Sequence, residues 1–188
     1  MKDIIAPLNF STFIAYLLPG FVAFYSFSYI SNTTKMIFDA LLTKDSQLGA
    51  GFLILVASSI AGVIVSAVRG LILDSIQEKT GVSKPSFKYS SITDPSVHEA
   101  FKDAISNTYR FAQSYGNMSM SFAIFLLFKY AIARHSINAQ LSIFFIICTI
   151  VIILFICYRS YLRTTYEAID EILKKSEKEV QNEEEKKG

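Results

Sequence analysis

Apolar residues gather into four long runs separated by charged stretches. Residues 4–34, 46–68, 111–128 and 136–158 contain no Asp, Glu, Lys or Arg. A helix needs roughly 20 apolar residues to cross a hydrocarbon core of about 30 Å. Each run is therefore expected to be a membrane span, the third beginning near Asn117 and continuing to about Arg134. The predicted class is all-α: a polytopic membrane protein with four transmembrane helices and a small cytosolic helical cap. Residues 1–70 hold the first two spans, 71–116 a cytosolic loop and 117–158 the last two spans. Residues 159–188 form a helical extension and a frayed tail.

Composition and charge sharpen this picture. The chain has 188 residues, 52% of them hydrophobic and only 18% charged, where soluble domains carry about 25% charge. This excludes a disordered chain and a basic nucleic-acid-binding domain, and it argues against a soluble enzyme. With both termini on one side, that side holds 14 of the 18 cations, leaving Lys35, Lys44, Lys129 and Arg134. Lys and Arg hold short loops in the cytosol, so both termini are expected to be cytoplasmic. The first partner is the lipid bilayer, and direct nucleic-acid binding is not expected. No small-x-small cleavage site follows the first apolar run, so the start reads as uncleaved. Tyr16, Tyr29, Tyr115, Tyr130 and Tyr158 lie near span ends, where tyrosines anchor helices at the interface.

The central loop has a plan of its own. Leu71, Ile72 and Ile76 continue the second run helically, and Gly81 is placed to stop it. Asp94 and Pro95 mark a new start, as N-cap and first helical residue. Val97, Phe101 and Ile105 then form an apolar stripe on a helix over 95–115, with Gly116-Asn117 as a bend into the third span. That stripe has three readings: packing on the chain's own cytosolic helices, docking of a partner, or lying on the membrane. Past the fourth run the helical period continues through Ile169, Ile172 and Leu173. With Val97, Phe101 and Ile105, these three make up the candidate docking surface for a cytosolic protein.

Residues for chemistry are scarce. His98 and His135 fall on opposite sides of the expected membrane, and there is no phosphate-cradling Gly-rich loop or nucleophile elbow. Cys148 and Cys157 are nine residues apart on one run and read as apolar filler. No catalytic residue, metal ligand or cofactor is expected, and the chain is read as a non-enzyme. The spans are more informative. Ser58, Gly62, Ser66 and Gly70 recur at steps of four, a small-residue seam that lets helices approach closely within or between subunits. Pro19 and Gly20 interrupt the first span, where a kink, static or hinged, is expected. Lys129 is the charge deepest in a span. It either snorkels outward or meets a polar site or pore.

The Leu18-Pro19-Gly20-Phe21 turn and the Arg69-Gly70 junction, set in a short chain of four predicted spans, a central loop and a helical tail, resemble the membrane subunits of bacterial phage-defence systems. The membrane subunit of the Kiwa system is the nearest of these. The resemblance implies an oligomeric protein of the bacterial inner membrane that senses infection and works with a DNA-binding cytosolic partner. It carries over no functional residue. The expected function is a non-enzymatic sensor or scaffold that forms homo-oligomers and recruits a cytosolic protein. The alternative is a pore-forming effector or channel that depolarises the membrane, lined by Lys129 and the serine-bearing face of the second span.

Overall fold

The computed structural model describes residues 13–42, 47–85, 95–132 and 141–185. The described residues are helical, with no strand among them. Helix α1 (Leu18–Phe27) is entered through a widened, π-type turn at Phe13–Leu17, and α2 spans Asn32–Leu42. Helix α3 (Gln47–Arg69) runs on through a second widened turn, Gly70–Asp74, into a short extension, Ser75–Lys79. Helices α4 (Pro95–Asp103) and α5 (Arg110–Leu126) are joined by the widened turn Ala104–Tyr109. Helix α6 is continuous from Leu141 to Glu185.

Two helices are long and apolar enough to cross a membrane, Leu48–Lys79 and Leu141–Lys175. Among the described residues a third candidate arises if the pair Phe13–Phe27 and Asn32–Ala40, bent by 119°, counts as one span. Against the four spans expected, two or three of the described helices meet this measure. In the first run the straight helix Phe13–Phe27 has 15 residues, or about 22 Å at 1.5 Å each, short of the hydrocarbon thickness. It stops where Ser28 to Ser31 turn the chain, closed by backbone bonds from Ile30 and Ser31 to the Phe27 carbonyl. Helix α2 then carries Lys35 and Asp39 away at the new angle.

The third run differs for another reason. Helix α5 presents Ser114, Gly116, Asn117, Ser119 and Ser121, all buried. It packs against α1, α3 and α6, so it is the interior helix of the bundle. A surrounded helix needs small and hydrogen-bonding side chains where a lipid-facing one needs bulk apolar surface. The complementary outer faces belong to α3 and α6. Phe52, Leu55, Ile60 and Val63 of α3 point outward, as do Phe145, Ile146, Ile152 and Ile156 of α6. Within the chain only 6% of the most apolar stretch of α6 is covered.

The expected bend at Gly116-Asn117 is not observed: α5 passes straight through it, and the widened turn lies upstream at Ala104–Tyr109. Gly81 does end the α3 extension. Its φ of 89° is open to glycine at little cost. The Val82 N–H bonds the Gln77 carbonyl at 2.9 Å and the Gly81 N–H bonds that of Glu78 at 3.3 Å. These two bonds form a Schellman cap, and Val82 beyond it enters the apolar cluster of Ala112, Tyr158 and Leu162.

Helices α1 and α3 touch backbone to backbone. A Cβ on Gly20 would lie 1.8 Å from the Ser58 carbonyl oxygen, and one on Gly62 would lie 2.1 Å from that of Tyr16. No rotamer adjustment relieves a clash with main chain, so the helices would have to separate. Gly62→Val is expected to cost at least about 3 kcal/mol through overpacking. Thermal unfolding of the detergent-solubilised protein checks this, with Gly49→Ala, which meets nothing within 4 Å, as the silent control.

Candidate functional site: a buried polar knot where three helices meet

Arg69 closes the charge-free stretch of α3, where a cation would ordinarily reach for water. Instead it is only 3% exposed. In an α-helix residues five apart are turned from each other by about 140°. The widened turn Gly70–Asp74, whose bonds run from i to i+5, brings Asp74 round to the face of Arg69. Arg69 Nη1 donates to Asp74 Oδ1 at 2.8 Å and to the Tyr158 hydroxyl oxygen of α6 at 3.2 Å. The Tyr158 hydroxyl donates to the same Asp74 oxygen. The guanidinium also faces the Tyr158 ring, 5.5 Å from its centroid. One cation, one carboxylate and one phenol thus close a triangle between α3 and α6.

Helix α5 supplies the floor. A Cβ on Gly116 would come within 2.7 Å of Arg69 Cδ and 3.0 Å of Tyr158 Cδ2. Glycine there lets Arg69 and Tyr158 lie flat across α5. Leu73, Tyr109, Tyr115, Phe155 and Tyr166 pack around the cluster and keep water from most of it. One turn further out, Arg159 Nη1 donates to Gln77 Oε1 at 2.7 Å and to Thr80 Oγ1 at 2.5 Å. Its Nη2 donates to the Thr80 carbonyl at 2.9 Å. Arg159 thereby satisfies a carbonyl at the end of the α3 extension that lacks an intrahelical donor.

The residue next to Gly116 ties in α1. Pro19 has no N–H, so it gives nothing to the Ala15 carbonyl four residues earlier. Asn117 Nδ2, fully buried on α5, donates to that oxygen at 2.7 Å. Ser114 donates to the Ile14 carbonyl at 3.4 Å, and Ser119 donates to the Val151 carbonyl of α6 at 3.2 Å. Helix α5 therefore holds α1 and α6 through backbone carbonyls, and holds α3 through the knot.

The sequence-derived candidates fall as follows. Ser58 and Gly62 are buried against α1; Ser66 and Gly70 are half-buried, and Gly70 opens the widened turn. Pro19 and Gly20 are buried at the start of α1, while the sharp bend of the first run lies at residues 28–31. Lys129 lies among aromatic rings. It is 9% exposed, with Nζ 5.8, 5.4 and 5.3 Å from the ring centroids of Tyr29, Phe125 and Tyr130. An aromatic cage of this kind stabilises a desolvated cation through the ring faces. Tyr158 and Tyr130 are buried, so neither serves as the interfacial anchor expected of it.

On the expected docking surface, Val97, Phe101 and Ile169 are buried within the chain, and α4 lies against α6. The first of the three readings of that stripe therefore accounts for these residues. Ile105 is exposed, and Ile172 and Leu173 are half-buried. Cys148 and Cys157 are free thiols. Among the described residues no group of three His, Cys, Asp or Glu side chains is placed to hold a metal ion. His98 is exposed, and His135 lies outside the described residues.

Sequence reasoning missed Asn117, Asp74 and the pairing role of Tyr158. Their signals were an Asn inside an apolar run, and an Arg and an Asp five apart at the end of another. No protein-family model matches this chain, and neither curated proteins nor solved structures offer a similar one.

Removing one partner of a buried ion pair strands the other, at about 3 kcal/mol or more. Asp74 is 30% exposed, which favours the low end of that range. Arg69→Leu should therefore lower stability by about 3 kcal/mol, and Arg69→Leu with Asp74→Leu should recover most of the loss. Denaturant titration of both variants in detergent measures the difference.

Proposed function

We propose that this chain is a non-enzymatic membrane sensor or scaffold, and that its α1 reports the state of the bilayer to the helices beyond the knot. The single observation that carries this reading is the adjacency of Gly116 and Asn117. Asn117 holds the carbonyl that Pro19 frees in α1, and Gly116 lies beneath Arg69 and Tyr158. Displacing α1 pulls on α5 at Asn117 and shifts the floor of the knot one residue away. The knot in turn joins the end of α3 to the middle of α6, whose extension continues beyond it with α4 packed alongside.

In this reading the protein sits in a bacterial inner membrane with both termini cytoplasmic, forms homo-oligomers and recruits a cytosolic protein in anti-phage defence. Recruitment falls to surfaces other than Val97, Phe101 and Ile169, which the chain uses for itself. Ile105 and the outward residues of the α6 extension remain available. The pore reading has less support, because Lys129 is closed over by aromatic rings and Ser58 by α1.

Pro19→Ala restores an N–H that competes with Asn117 for the Ala15 carbonyl. Both Pro19→Ala and Asn117→Ala should insert normally but lose most of the response to phage, read as plaque formation on cells carrying the protein and its neighbouring genes. Full protection by both variants would remove the α1-to-knot route. Release of a trapped dye from vesicles holding the purified protein would instead favour the pore.

A further inference from the structure

Just beyond the knot lies a cavity of about 550 Å³ between the loop that follows the α3 extension and the face of α6. Its charged lining is Lys84, Arg159, Arg163, Glu167 and Asp170. The two carboxylates are already met along α6: Arg163 Nε lies 2.7 Å from Glu167 Oε1, and Lys174 Nζ lies 2.6 Å from Asp170 Oδ2. Arg159 spends its hydrogen bonds on neutral acceptors, Gln77 and Thr80, so its charge is not cancelled by a carboxylate. The cavity is therefore net cationic.

A second hollow lies on the membrane side. An apolar groove of about 230 Å³ runs between α5 and α6, lined by Leu73, Met120, Ala123, Val151 and Phe155 among others. The two share a face of α6: Phe155 borders the groove, and Arg159, Arg163, Tyr166 and Asp170 follow at steps of four, four, three and four. From Phe155 to Arg159 is about 6 Å along the helix. An apolar slot one helical turn along α6 from a cationic hollow fits a molecule with a hydrocarbon chain and an anionic head.

We propose that this face of α6 binds an anionic phospholipid, with its phosphate between Lys84, Arg159 and Arg163 and one acyl chain against Val151 and Phe155. The lipid's charge complements the hollow and its chain replaces the bilayer contact that the groove interrupts. A lipid held there touches both the α3 extension and α6, so it stiffens the end of the bundle that the knot closes. The proposal rests on the membrane reading above.

The test uses the full chain in neutral detergent, washed free of lipid, with phosphatidylglycerol, phosphatidylcholine of the same chains, and inorganic phosphate as separate titrants. A ligand that binds the folded state raises the melting temperature. Phosphatidylglycerol should raise it most, and native mass spectrometry should show it retained. Lys84→Gln combined with Arg163→Gln, which leaves Arg159 and its bonds intact, should weaken retention about a hundredfold, as the loss of two charge-assisted hydrogen bonds at about tenfold each implies. Equal binding of the two lipids, or unchanged retention by the double variant, overturns the site. Inorganic phosphate matching phosphatidylglycerol overturns the acyl half of it. Sedimentation with alkaline-washed membranes separates the two readings: a chain that stays with the membrane but fails the lipid test loses this site alone, and one that is washed off loses both.

Discussion

Hydrocarbon offers no hydrogen bonds, so any backbone group released inside a membrane bundle has to be met by protein. Pro19 releases one, the Ala15 carbonyl, and much of the arrangement follows from covering it. The donor is a side-chain amide, Asn117, which must itself be kept from lipid. That places α5 at the centre and favours small and hydroxyl-bearing residues along it. Once α5 is enclosed by α1, α3 and α6, the outer faces of α3 and α6 are free to be uniformly apolar. One missing N–H thus sits at the head of the division between a polar inner helix and two greasy outer ones.

At the other end the same logic applies to charge. An ion pair withdrawn from water stabilises little by itself, because desolvation offsets most of the attraction. The Arg69–Asp74 pair is better understood as a device of specificity: it accepts one register of α3 against α6, the one that puts Tyr158 between the two charges. Gly116 favours the register because a Cβ there would crowd Arg69 Cδ at 2.7 Å and Tyr158 Cδ2 at 3.0 Å and displace them. Gly20 and Gly62 play the equivalent part between α1 and α3. The bundle is thus located by three points without Cβ atoms, each facing a polar or backbone partner.

The all-helical class, the glycine stop at Gly81 and the unbroken run of α6 were all legible from apolar spacing and from cap residues. The bent first run was not, because its charge-free length hides a turn made by Ser28 to Ser31 rather than by proline or glycine. The interior position of the third run was not legible either, since an inner helix and a lipid-facing one differ in the sidedness of their small residues, and hydropathy averages sidedness away. Of the candidate site, Gly62 and Ser58 were visible as a repeat. The knot was hidden because it depends on a widened turn, which moves Asp74 by more than a quarter of a circle relative to the ordinary helical wheel. Lys129 was recognised as anomalous, but its aromatic cage gathers Tyr29 from a different run, a contact that spacing along one helix cannot reveal.

Helix α6 continues from Tyr158 to Glu185 without a break. Those 27 residues make a rod of about 40 Å. A rod of that length is a lever whose fulcrum is the knot. A tilt of about 5° at Tyr158 moves the far tip by about 3.5 Å, which follows from the rise per residue. That displacement is comparable to the width of a side chain. Any tilt at the level of Tyr158 would thereby be enlarged at the tip to the scale at which one protein surface distinguishes another.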